Sequence, residues 1–239
     1  MTIKHTQTLL AQFNDLISLE ELDLGDSQIS DIKPLESLTN LTTLYLENNQ
    51  ISDIEPLESL TNLTRLCLRD NPISDIKPLA SLTNLTWLIL VSNQISDFKP
   101  LSSLTNLTEL FIANNRGNIK PSRYLTNQIS DLEPLRSLTN LTNLVIYDIL
   151  YGHQVGDIEP LSSLTNLKWL ALSDSRISDL KPLTSLTSLT GLILENNHIS
   201  DIKPLASLTK LTRLHLGGNP VSDRDIQWLS DKLPECDIT

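Results

Sequence analysis

Residues Leu41 to Ile51 read LTTLYLENNQI, and 22 residues later Leu63 to Ile73 read LTRLCLRDNPI. A third copy, Leu85 to Ile95, reads LTWLILVSNQI. Leucine alternates with variable residues through the middle of each copy, the period of a strand whose successive side chains point to opposite sides. Further copies begin at Leu19, Leu107, Leu141, Leu167, Leu189 and Leu211, which makes nine.

The shared pattern is LxxLxLxxNxI followed by SDIxPLxSLTN or a close variant. One strand and one short second segment per unit is the signature of a leucine-rich repeat. The fold class it predicts is an α/β repeat solenoid, a leucine-rich-repeat horseshoe with a parallel concave sheet and short helical or 3₁₀ convex segments. No single copy can bury its own apolar side, so Leu88 and Leu90 are expected to stack on Leu66 and Leu68 of the copy before. Asn49, Asn71, Asn93, Asn115, Asn197 and Asn219 fall in the turn after the strand, where an amide can both donate to and accept from neighbouring backbone. Ser27 and Ser175 hold that place in two copies. Asp31, Asp53, Asp75, Asp97, Asp131, Asp157, Asp179, Asp201 and Asp223 recur before the second segment and read as caps on its free N–H groups. Pro34 and its equivalents sit in the first turn, where a missing N–H is harmless.

The array divides into three parts. Residues 1–18, with Leu10, Phe13 and Leu16, read as an N-terminal cap built from a degenerate half-repeat. Residues 19–222 hold the nine repeats, interrupted by insertions near 116–127 and 149–152. Residues 223–239 read as a capped helix from about Asp223 to Lys232 and a capping strand, with Ile226, Trp228, Leu229 and Leu233 covering the last layer.

Composition narrows the function. With 39% hydrophobic and 20% charged residues, the 239-residue chain is globular in type. Its net charge of −11 disfavours nucleic acid or an anionic membrane as partner, since both require clustered Lys and Arg. No secretion signal or apolar run of membrane-spanning length is recognisable, so the expected compartment is the cytoplasm. Cys67 and Cys236 are too far apart in the array to pair; Cys67 reads as an inert small residue facing out, with a reactive thiol as the alternative. The NLT sequons at Asn40, Asn62, Asn84, Asn106 and Asn140 read as part of the repeat rather than as glycan sites. His5, His153, His198 and His215 are dispersed, and no nucleophile, metal or phosphate-loop constellation is present, so no enzyme, cofactor or metal is expected.

The units LTNLTTLYLENNQISDIEPLESL and LTSLTGLILENNHISDIKPLASL resemble the 22-residue repeats of the bacterial internalin family. They are also similar to those of the leucine-rich-repeat regulatory subunit of protein phosphatase 1. The resemblance implies a curved solenoid that binds proteins on its concave strand face.

On that face the residues beside the strand leucines vary from copy to copy. They are Glu21, Asp23 and Gly25, then Thr43, Tyr45 and Glu47, then Arg65, Cys67 and Arg69, then Trp87, Ile89 and Val91. Glu109, Phe111 and Ala113 follow, then Asn143, Val145 and Tyr147, then Trp169, Ala171 and Ser173, then Gly191, Ile193 and Glu195, and last Arg213, His215 and Gly217. Five of the ten aromatic residues of the chain, Tyr45, Trp87, Phe111, Tyr147 and Trp169, lie here. An apolar surface rimmed by charge is the usual mark of an interaction site; the alternative is that aromatic residues simply favour strands. The expected apolar centre is Trp87, Ile89, Phe111, Val145, Tyr147 and Trp169, with Tyr45, Val91 and Ile193 as further expected contacts. Arg65, Arg69, Glu109, Glu195 and Arg213 form the expected rim.

The two insertions are expected to extend this face, the first with Arg116, Lys120, Arg123 and Tyr124, the second with Tyr151. In the first, Ile119 or Ile129 could resume the repeat. The function that follows is a non-enzymatic protein-binding module, expected to be monomeric, recognising an unidentified protein. The alternatives are regulation of an enzyme such as a phosphatase and self-association as a homodimer through the same face.

Overall fold

A computed structural model describes residues 18–113, 127, 129–147 and 155–239. The chain divides into two compact units, Met1–Gln128 and Ile129–Thr239. The expected N-terminal cap, most of both insertions, Asn115 and His153 lie outside the described residues.

Each unit has the leucine-rich-repeat fold that the period predicts. In the first, β1 (Glu21–Asp23), β2 (Thr43–Tyr45), β3 (Arg65–Cys67), β4 (Trp87–Ile89) and β5 (Glu109–Ala113) lie side by side in chain order, all parallel. The second has β6 (Asn143–Tyr147), β7 (Trp169–Ser173), β8 (Gly191–Ile193), β9 (Arg213–His215) and β10 (Asp237–Ile238) in the same parallel arrangement. Register follows the repeat, with Leu44, Leu66, Leu88 and Leu110 aligned across β2 to β5. All four are fully buried, and such burial stabilises by about 2 kcal/mol per leucine before entropy is counted.

The convex segments are 3₁₀ turns, such as Lys33–Ser37, Glu55–Ser59 and Lys203–Ser207, each with proline near its start. Five residues are too few for an α-helix to outweigh its nucleation cost. The aspartates act one step earlier than a helix cap. Asp31 Oδ1 accepts the N–H of Lys33, the first residue of the 3₁₀ segment, and seven later copies repeat this contact over two residues, so each carboxylate takes a free N–H of its segment through an Asx turn. At Asp75 that N–H holds the carboxyl below its usual range. Asp223 departs from the pattern because it already lies in the first turn of the helix Asp223–Lys232. Ser222 takes the cap, its side chain accepting the Asp225 N–H.

The asparagines bind successive copies together. Asn93 is fully buried; its Nδ2 is directed at the carbonyl oxygens of Leu68, Leu90 and Val91, and its Oδ1 accepts the Ile73 N–H. Asn49 and Asn71 do the same in the first unit, and Asn197 and Asn219 do so in the second. In the fifth copy these bonds belong to Asn127, whose Oδ1 accepts the Ile95 N–H and whose Nδ2 donates to Leu90 O. That corrects the expectation placed on Asn115: the insertion precedes the asparagine, and the buried Ile129 resumes the repeat.

The NLT stretches are ladders as well. Asn62 Nδ2 donates to Thr39 O, and Thr64 Oγ1 donates to Thr42 O, both in the copy before. Asn84 with Thr86 and Asn106 with Thr108 repeat the arrangement.

After β1 to β4, β7 and β8 the chain turns at a residue in the left-handed region. Asp26, Asn48, Asp70, Ser92, Asp174 and Asn196 have φ of 53–57°. Short polar side chains tolerate that conformation best after glycine.

Candidate protein-binding face

Inward leucines leave the alternate strand positions on the open side of each sheet. In the first unit Thr43, Arg65, Trp87 and Glu109 form one row across β2 to β5, and Tyr45, Cys67, Ile89 and Phe111 form the next. The Arg65 guanidinium carbon lies 4.4 Å from the Trp87 ring centroid. The Tyr45 ring meets Trp87 edge-on, with centroids 6.2 Å apart at 75°. Trp87, Ile89 and Phe111 are half-buried, and Arg65 is exposed.

Cys67 does not face solvent as its position suggests. Flanked in register by Tyr45 and Ile89, it keeps only 5% of its surface. Burial first, and then the Glu47 charge, push its thiol from 9.0 up to about 12, although the Arg69 N–H pulls the other way. It is an inert thiol at neutral pH.

In the second unit Asn143, Trp169, Gly191, Arg213 and Asp237 form the first row across β6 to β10. The Trp169 ring fills the space above Gly191: a Cβ there would collide with Trp169 Cε3 and Cζ3. The Arg213 guanidinium carbon is 4.8 Å from the Trp169 centroid. Asp237 stands beside Arg213 in β10, yet the guanidinium lies over the ring and makes no ion pair among the described residues. Gly191, outward by the alternation but not an expected contact, is the one glycine among the first outward positions and directly follows a tryptophan copy.

Val145, expected in the apolar centre, keeps 8% of its surface, and Ala171 beside it keeps none. It is part of the packing and has little area to offer a partner. Tyr147, Trp169 and Ile193 stay half-buried, and Arg213 is exposed. Arg69, Val91 and Glu195 follow the strands, and their carbonyl oxygens accept the N–H groups of Asn48, Asp70 and Asp174. Arg69 is also ion-paired with Asp70 at 2.9 Å. Tyr124 and Tyr151 lie outside the described residues.

Among the described residues, no three His, Cys, Asp or Glu side chains are grouped to hold a metal ion. No helix among them is long and apolar enough to cross a membrane.

The family model for leucine rich repeats in two copies matches residues 17–59, 83–121 and 187–231, and a second leucine rich repeat model matches 39–95. No curated protein matches the sequence. The crystal structure of internalin InlF from Listeria monocytogenes is 33% identical, with 95% of this chain and 68% of that one covered and a TM-score of 0.73. Internalin C2 of the same organism is also 33% identical, with 94% and 82% covered and a TM-score of 0.61. The functional domain of InlJ from Listeria monocytogenes, at 23% identity, 93% and 53% coverage and a TM-score of 0.52, shares the fold alone. By repeat sequence, strand register and this likeness, the chain belongs to the internalin-like leucine-rich-repeat family.

Proposed function

We propose that the chain is a non-enzymatic module that holds a protein partner against the strand face of its sheets. The observation that carries this reading is the pair of tryptophans. Trp87 and Trp169 stand on strands whose inner side is already filled by leucine, and each remains half-buried with an arginine stacked on it. Held rings with solvent-facing area can bind at little entropic cost, and tryptophan and arginine are the side chains that most often dominate binding energy. Tyr45, Ile89, Phe111, Tyr147 and Ile193 supply the surrounding apolar area, and Glu109 and Glu195 the polar rim.

The test compares proteins captured by the wild-type chain with those captured by Trp87→Ala and Trp169→Ala. Loss of a captured protein from at least one variant, with the melting temperature kept within a few degrees, is the expected result. Unchanged capture by two folded variants removes the strand face as the site.

A further inference from the structure

The two arginine–tryptophan stacks say what kind of group the partner brings, and this inference rests on the reading that the strand face binds a protein. Arg69 and Arg136, elsewhere in the chain, use their N–H groups on carboxylates: Arg69 on Asp70, and Arg136 on Glu133 and Glu159. Arg136 lowers the Glu159 carboxyl in doing so, and its own guanidinium is raised by both acids. Arg65 and Arg213 have no such ion pair among the described residues. The guanidinium carbon of each lies over a tryptophan ring, 4.4 Å and 4.8 Å from its centroid. A guanidinium held over an aromatic ring can keep its N–H edge open to a carboxylate, which it receives through two parallel hydrogen bonds.

Each side of the stack has its own character. In the first unit Glu109 lies across Trp87 from Arg65 in the same row, so an acidic group is drawn to the Arg65 side and repelled from the other. In the second, the absence of a side chain at Gly191 lets the Trp169 ring settle over it, and Arg213 turns toward the ring although Asp237 is its neighbour in register. Both stacks pair a positive, oriented donor with an aromatic surface.

We infer that Arg65 over Trp87 and Arg213 over Trp169 are each a receiving site for an Asp or Glu side chain of a protein partner, set next to an apolar residue that packs on the ring. Phosphates on a nucleic acid offer related chemistry with stackable bases, but the chain's net charge of −11 opposes a polyanion.

A library of random twelve-residue peptides displayed on phage, selected on the full chain, tests this. Recovered peptides enriched in Asp and Glu beside apolar residues are expected. Arg65→Gln and Arg213→Gln should each weaken a recovered peptide that uses that stack about tenfold, and Arg→Lys should restore little, since lysine keeps the charge without the fork. An oligothymidylate should not compete. A library yielding no binder, binders without acidic enrichment, binders indifferent to both arginines, or competition by oligothymidylate each overturns the inference. Binders that depend on Trp87 or Trp169 but on neither arginine leave the strand-face reading standing; binders indifferent to the tryptophans as well take that reading down too.

Discussion

Trp87 and Trp169 occupy the same place in the repeat but are held from opposite directions. Trp87 is met by Arg65 and Tyr45 on the two strands before it, whereas Trp169 lies over Gly191 and under Arg213 on the two strands after it. The inner side of the sheet shows no such contrast: the leucine and asparagine ladders of the two units are alike. A repeat therefore fixes where an outward side chain starts, and the sizes of its neighbours decide where it goes.

Removing what the units share should have the largest effect. Asn93→Ala and Asn197→Ala each strip a buried amide from several backbone groups and are expected to cost about 3 kcal/mol in urea unfolding, similarly in both units. What the units do not share comes next. Gly191→Ala forces the Trp169 ring from its slot, with an expected loss of about 2 kcal/mol and a red shift in tryptophan emission. Glu109→Ala, at the place beside Trp87 that matches Gly191 beside Trp169, should stay within about 0.5 kcal/mol of wild type. Equal effects of these two substitutions would break the contrast.

The buried thiol gives a smaller, pH-dependent effect. Cys67 ionises near 9.0 when exposed and only at about 12 when folded, so unfolding is favoured progressively between those values. Stability should fall by about 1 kcal/mol by pH 10, and Cys67→Ala should remove that part of the decline. Smallest are the stacks themselves: Arg65→Ala and Arg213→Ala should each cost about 0.5 kcal/mol, read with a change in emission of the partner tryptophan.

The sequence made the inner side legible because the period repeats every demand made on it. Leucine, asparagine and aspartate positions all carry over, and so did the family. It misled where an insertion repeats the motif itself: Asn115 and Asn127 both satisfy the spacing, and only the hydrogen bonds of Asn127 to Leu90 and Ile95 separate them. The outward side was legible only as a set of candidates. Val145 and Cys67 share the alternation of Trp87 and Ile89, yet small side chains between larger ones on strands about 4.8 Å apart are covered by their neighbours. Burial there depends on cross-strand pairs, which no single copy contains. Gly191 shows the same point in reverse, since its meaning lies wholly in the ring of the previous copy.

A protein partner packed on the tryptophan-bearing strands must lose affinity when the rings are removed. Calorimetric titration of that partner into the wild-type chain and into the Trp87→Ala, Trp169→Ala double variant should show a Kd at least about thirtyfold weaker for the variant, with its fold intact. An unchanged Kd for a folded double variant would contradict the claim.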